Sequence, residues 1–106
     1  MLKIKQDDTD RKITATLLID DQPINLDGAS VSIVFKNRNT GADAVNEGVV
    51  IDDDPSTGNV SYQLTADDTA IAGDFFIEFL IVMADTSKLR VPNDGYYELL
   101  IEPKLV

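Results

Sequence analysis

The most constraining feature of this sequence is the stretch 74–84, which is apolar at almost every position. One set of alternate positions is wholly apolar and consists of Phe75, Ile77, Phe79, Ile81 and Met83. The other set holds Phe76, Leu80 and Val82, with Glu78 as its charged member. Aromatic and β-branched side chains favour a strand, and about ten residues cannot span a bilayer as a helix. The stretch therefore predicts a long strand that is apolar on both faces.

Shorter segments with a two-residue alternation surround this strand. Residues 13–19 predict a strand with one buried face, which ends at the polar turn 20–23. Val31, Ile33 and Phe35 predict a core strand, and residues 49–51 and 60–64 predict a hairpin with a polar connection. The pattern is typical of an all-β sandwich.

The remaining segments predict connections and two closing strands. Residues 37–48, rich in Asn, Gly and Asp, predict a loop or a weak edge strand. Thr65 stands three residues before Asp68, as in a capping box, so one helical turn is expected within 65–73. Residues 88–91 and 96–102 predict the last two strands, and Pro103 ends the second because it lacks an N–H donor.

Composition excludes several kinds of function. The 106 residues predict one domain, 1–106, large enough to bury a core. The sequence contains no cysteine and no histidine, so thiolate chemistry, the usual zinc sites and histidine bases are excluded. Its net charge of −10 and scattered basic residues argue against nucleic-acid binding. We expect no cofactor and no membrane contact, and without a signal peptide pattern we expect synthesis in the cytoplasm.

Several motifs in this order resemble the immunoglobulin-like module of tailed-phage structural proteins, notably the amino-terminal domain of phage baseplate upper proteins. The resemblance covers roughly residues 9–102. It is carried by the segments ITATL (13–17), INLDGASV (24–31), STGNV (56–60), LTADDT (64–69), AGDF (72–75) and VPNDGY (91–96). The family usually has phenylalanine before Pro-Asn-Asp, where this chain has Val91.

This resemblance implies a fold and a role. The fold would be an immunoglobulin-like antiparallel β-sandwich of about seven to eight strands. The role would be that of a non-enzymatic subunit of a virion, in the baseplate or tail, the neck, or a head decoration or fibre. Its partners would be other virion proteins, in a homo-oligomer or a hetero-assembly. Phage baseplate upper proteins continue beyond this module, so attachment to a receptor-binding apparatus is not carried over to a chain that stops at Val106.

The outward apolar residues of the long strand are the predicted partner interface. Each sheet of a sandwich has one inner face, so Phe76, Leu80 and Val82 need cover from a loop, a neighbouring side chain or another subunit. We favour another subunit. Leu105 and Val106, beyond Pro103, form a second apolar candidate for contact with a neighbour.

The acidic residues offer weaker candidates. Asp52, Asp53 and Asp54 have oxygen ligands suited to calcium, although their spacing does not match an EF-hand and a solvated turn is the simpler interpretation. The alternative function is therefore a calcium- or carbohydrate-binding adhesion module, with these residues and the 37–48 loop at the ligand end. A carboxylate-dependent hydrolase is a third option that draws on the scattered acids Asp7, Asp8, Asp10, Glu78, Glu98 and Glu102. The tight bend Asn93-Asp94-Gly95 is interpreted as turn chemistry.

Overall fold

The computed structural model describes residues 2–92 and 97–105, and its regular structure is almost entirely β-strand. The strands are β1 (Leu2–Lys5), β2 (Lys12–Thr16), β3 (Leu18–Ile19), β4 (Gln22–Pro23), β5 (Ser30–Asn37), β6 (Asp43–Gly48), β7 (Val50–Ile51), β8 (Asn59–Gln63), β9 (Gly73–Val82), β10 (Lys88–Val91) and β11 (Tyr97–Glu102). The helical structure in these described ranges is one short 3₁₀ turn, Pro55–Thr57. None of it is long and apolar enough to cross a membrane.

The strands form two packed sheets and a small hairpin. Sheet A has the order β1-β11-β9-β5-β6, with β10 also paired to β9. Sheet B has the order β2-β8-β7, and β3 pairs with β4. The Phe35 ring on β5 meets the Tyr62 ring on β8 at a centroid distance of 6.5 Å, so these two strands face each other across the core. The predicted β-sandwich is therefore confirmed.

The predicted long strand is β9, and it lies at the centre of sheet A. It pairs with β5 along one side, and with β11 and then β10 along the other. Its inward side chains, Phe75, Ile77, Phe79 and Ile81, are at most 3% exposed. Each contributes about 1.5–3 kcal/mol by leaving water. The alternation of β9 thus fixes which of its faces belongs to the core.

The predicted strand 13–19 is shorter than expected, because the chain leaves sheet B at Leu17. The Leu17 N–H donates to the Gly58 carbonyl at 2.8 Å, and the Leu17 carbonyl accepts from Ile24 N–H at 2.9 Å. Residues 18–19 then pair with residues 22–23 around Asp20 and Asp21, which both have positive φ. Leu17 is buried, whereas Ile19 is 40% exposed, so the expected alternation stops at Leu17.

The segment 65–73 contains hydrogen-bonded turns in place of the expected helical turn. The capping-box pair itself is present: Thr65 N–H donates to the Asp68 carboxylate at 2.9 Å, and Asp68 N–H donates to the Thr65 hydroxyl at 3.4 Å. Tyr62 also donates its hydroxyl hydrogen to the Asp68 carboxylate, at 2.7 Å. Asp68 is thus held by groups on both sides of the turn and does not begin a helix.

Two edge strands complete sheet A. The weak strand within 37–48 is β6, which pairs with β5 through a bulge after Phe35. At the opposite edge, β1 pairs in parallel with β11, and the sequence pattern did not reveal it. The predicted bend Asn93-Asp94-Gly95 lies outside the described residues. The last strand ends at Glu102, before Pro103, as expected.

Candidate interaction surface

The predicted interface residues Phe76, Leu80 and Val82 lie together on the outer face of sheet A. All three are half-buried, in contrast to the buried residues between them that face the core. The strand register sets Phe76 beside Lys36, Leu80 beside Ser32, and Val82 beside Ser30. We call this row of three side chains the apolar stripe.

Long cationic side chains give the apolar stripe part of its cover. The Arg38 guanidinium carbon lies 5.2 Å from the centre of the Phe76 ring, a cation–π geometry. Arg90, paired with Glu78 at 3.0 Å, lies beside Leu80. Such side chains cover apolar surface with their stems while the charged group stays in water. Cover from within the chain is therefore real but partial.

The outer face of sheet A differs in charge from the rest of the chain. Six of the nine basic residues lie on it or over it: Lys3, Lys5, Lys36, Arg38, Lys88 and Arg90. Five of the nineteen acidic residues share it: Asp43, Asp74, Glu78, Glu98 and Glu102. The face is therefore nearly neutral, and the net charge of −10 comes from the rest of the chain. Sequence spacing could not reveal this clustering because the basic residues come from three separated segments.

The carboxy-terminal candidate lies apart from the apolar stripe. Leu105 is 99% exposed and follows Lys104, whose ammonium group pairs with Asp7. It lies beyond the end of β11, past Glu102. Val106 lies outside the described residues.

The acidic run 52–54 is organised as a turn. One oxygen of Asp54 accepts from the Ser56 N–H at 3.1 Å and from the Ser56 hydroxyl at 2.6 Å. These bonds hold the pKa of Asp54 below its ordinary value. Asp52 accepts from the Thr57 hydroxyl at 3.2 Å, and Asp53 is exposed. No group of three or more metal-ligating residues occurs in the described part of the chain, so the three carboxylates do not form a coordination shell there.

The other elements of the alternative function are also separated. Val49 N–H bonds to the Val31 carbonyl, so the segment of chain just before residues 52–54 lies near the start of β5. Residues 37–42 form a turn at the opposite end of β5, where Arg38 N–H bonds to the Asp74 carbonyl. The remainder of the 37–48 segment returns along β5 as β6. The fold does not bring the two proposed parts of the ligand end together.

Most of the scattered carboxylates named above take part in local structure. Glu78 pairs with Arg90, and Glu102 pairs with Lys5 at 3.2 Å. Asp8 accepts from the Lys5 N–H at 3.1 Å, across a turn. Asp10 is exposed, and Glu98 lies at the rim of a groove between the sheets.

Sequence reasoning missed that groove, which opens beside β2. It has a volume of about 420 Å³ and combines β2 residues with residues of β1, β9 and β11. Leu2 and Tyr97, which are 37% and 43% exposed, form part of its lining. Leu2 reaches the groove through the parallel pairing of β1 with β11, which no local pattern signals.

These features define a class of protein, a two-sheet β-sandwich module with an apolar stripe on one outer face. The chain matches the family model described as the BppU N-terminal domain over residues 2–92, and it therefore belongs to that family. Membership implies a phage baseplate structural protein that is located in the virion and contacts other virion proteins. A comparison with curated proteins gives no match.

A solved structure supports the fold. The crystal structure of CopC from Methylosinus trichosporium OB3b is similar, with a TM-score of 0.56 and 14% identity. The match covers 99% of this chain and 86% of that chain. At this identity the similarity concerns the fold alone.

Proposed function

We propose that this chain is a non-enzymatic structural subunit of a tailed-phage baseplate, and that it packs against other virion proteins through the outer face of sheet A. The single observation that carries the proposal is the apolar stripe on a nearly neutral face of an otherwise acidic chain. The family match favours the baseplate over the neck, a head decoration or a fibre.

The chemistry of the face suits a protein contact. Half-buried apolar side chains gain free energy when a partner removes their remaining exposure to water. Outside this face the chain carries a large excess of negative charge, which repels another acidic surface. A nearly neutral face removes that penalty. The surrounding cations and carboxylates can form the polar rim that is typical of interfaces.

The size of the face also suits a stable contact. β9 is ten residues long, and sheet A is five strands wide along its main path. With about 3.3 Å per residue and about 4.8 Å between strands, and with shorter neighbouring strands, the face has an area of about 600–800 Å². A standard protein interface buries about 800 Å² on each partner.

The centre of sheet A is rigid because β9 is paired along both sides. Its backbone hydrogen bonds are made within the sheet, so recognition depends on side chains. Leu105, on the carboxy-terminal segment, is a second contact point in this proposal.

The test compares two double variants in particle assembly. Phe76→Asp with Leu80→Lys changes the apolar stripe, and Val50→Asp with Ile71→Lys makes the same kind of change at exposed positions elsewhere. Val50 and Ile71 are 68% and 65% exposed. We expect both variants to fold, as shown by thermal melts, and only the stripe variant to be lost from purified particles. Equal incorporation of the two folded variants would contradict the proposal.

A further inference from the structure

We infer that the groove beside β2 receives one extended segment of another protein chain, which adds to sheet B as a fourth strand. This site is separate from the outer face of sheet A and does not depend on the function proposed for that face. The segment would alternate apolar with polar residues and carry a lysine or arginine near the groove.

The first argument is the open backbone edge of β2. In the described residues β2 is an edge strand of sheet B, paired only with β8. Leu64 N–H bonds to the Arg11 carbonyl at one end of this pair, and Leu17 N–H bonds to the Gly58 carbonyl at the other. In an antiparallel ladder the bonded positions alternate, so the N–H and C=O groups of Thr14 and Thr16 point away from β8. These groups can bond an added strand.

The second argument is the apolar floor beside that edge. Sheet A continues past β2, because β11 and β1 extend it on that side. Ile77 and Phe79 form the base of the groove and are almost fully buried. Leu2 and Tyr97 are partly exposed above it. An added strand would place every second side chain against this floor.

The geometry favours a single segment over a second copy of the chain. Two further strands of sheet A give a ledge about 10 Å wide, which is room for one or two strands. Antiparallel pairing of two β2 edges would bring both ledges into the same space. Parallel pairing about a two-fold axis avoids this collision, but it would turn the polar outer side of the second β2, with Thr14 and Thr16, onto the apolar floor.

Charge selects the composition of the segment. Glu98 is the charged residue at the rim of the groove, its side chain lies on the outer side of sheet A, and it has no ion-pair partner in the described part of the chain. The chain as a whole carries a net charge of −10. A basic residue in the segment would therefore be attracted to the site.

The test uses capped eight-residue synthetic peptides in which valine, isoleucine or leucine alternates with threonine, with two lysines at one end. Binding is followed by amide chemical shifts of the ¹⁵N-labelled protein. We expect shifts at Thr14, Thr16 and Tyr97 for at least one peptide. The same peptide with proline at the threonine positions should not bind, because proline cannot donate to the ladder.

Variants separate strand addition from nonspecific contact. Thr14→Pro removes an outward N–H while leaving the bonds to β8, and Thr14→Val keeps that N–H as the matched control. Ala15→Lys places a charge in the groove. We expect Thr14→Pro and Ala15→Lys to weaken binding roughly tenfold or more, and Thr14→Val to leave it nearly unchanged. Thermal melts establish that each variant is folded. Weakened peptide binding by either folded variant is sufficient to support the inference.

Three outcomes would overturn the inference. The first is the absence of binding by every peptide at millimolar concentration. The second is equal binding by Thr14→Pro, Ala15→Lys and the unchanged protein. The third is a dimer of the protein alone in sedimentation experiments that Ala15→Lys dissociates, since this would assign the edge to a second copy.

Discussion

The outer faces of the two sheets have the same alternating pattern and opposite character. On sheet A the outward positions of β9 form the apolar stripe, Phe76, Leu80 and Val82. On sheet B the outward positions of β2 and β8 are mostly hydroxyls and amides: Lys12, Thr14, Thr16, Asn59, Ser61 and Gln63. Both faces lie outside the core, so the sandwich fold does not require the difference. The contrast supports the proposal that the outer face of sheet A, and not that of sheet B, contacts a partner.

The largest expected effect is a difference in folding stability between substitutions on the two faces of β9. Phe79→Ala should destabilise the fold by about 3–5 kcal/mol, because Phe79 is 2% exposed and its loss leaves a cavity. Phe76→Ala should cost clearly less, since the Phe76 ring is half-buried. Denaturant unfolding measures both. Equal losses would mean that the outer face of sheet A already belongs to the core.

The second-largest expected effect concerns a buried hydrogen bond of Tyr62, on the inner side of sheet B. Tyr62→Phe removes the hydroxyl that bonds to Asp68 at 2.7 Å, and it should cost about 1–3 kcal/mol. Thr65 N–H still bonds to Asp68 in the variant, so the fold should persist. Chemical denaturation of the two proteins at neutral pH gives the difference. A loss near zero would contradict a stabilising role for this buried bond.

The same tyrosine predicts a loss of stability in alkali. Burial is the larger cause and the hydrogen bond to Asp68 the second cause that raise the pKa of Tyr62 above its ordinary value of 10.0. Its contribution is therefore complete below pH 10 and declines as the pH rises further, because only the unfolded chain then readily loses the proton. Tyr62→Phe should flatten this decline in melts between neutral and alkaline pH. An unchanged slope would remove Tyr62 as its cause.

How far the sequence predicts this molecule depends on the range of the interactions. The two faces of β9 and the turn at Asp20 and Asp21 follow from local alternation and turn residues, and both were predicted. β1 was not, because its strand exists through pairing with β11, about one hundred residues away. The end of β2 at Leu17 was missed because the Leu17 carbonyl accepts from the Ile24 N–H and does not continue the ladder to β8.

The candidate site also has parts that the sequence predicts and parts that only the folded chain brings together. The apolar stripe could be predicted because its three residues alternate within one strand. The cation of Arg38 above Phe76 could not, because it comes from the turn after β5 and reaches the stripe only in the folded sheet. The groove beside β2 depends on four strands and has no local signal.

A smaller effect compares two turns of the same design. The Asp54 carboxylate accepts hydrogen bonds from the N–H and the hydroxyl of Ser56 in the turn before β8. The Asp85 carboxylate accepts the same two bonds from Ser87 in the turn after β9. These bonds hold both pKa values below 3.8, so each turn stabilises the fold above that pH and loses its contribution as the pH falls through the lowered pKa. Asp54→Asn and Asp85→Asn should each reduce the acid dependence of the melting temperature. No change in either variant would contradict this role.

The smallest expected effect tests the calcium alternative at the sheet B end. Because Asp54 is engaged with Ser56, millimolar calcium should leave the melting temperature unchanged. A ligand held only by the folded state must raise that temperature. Magnesium serves as the control for weak attraction to an acidic surface. A rise with calcium alone, abolished by Asp52→Asn, would restore the adhesion hypothesis.

The most direct test of the account is hydroxyl-radical footprinting of the free protein and of assembled particles. We predict that Phe76 and Leu80 become protected on assembly, while Val50, on the outer face of sheet B, remains as reactive as in the free protein. Equal reactivity of Phe76 and Leu80 in both states would contradict a partner on sheet A.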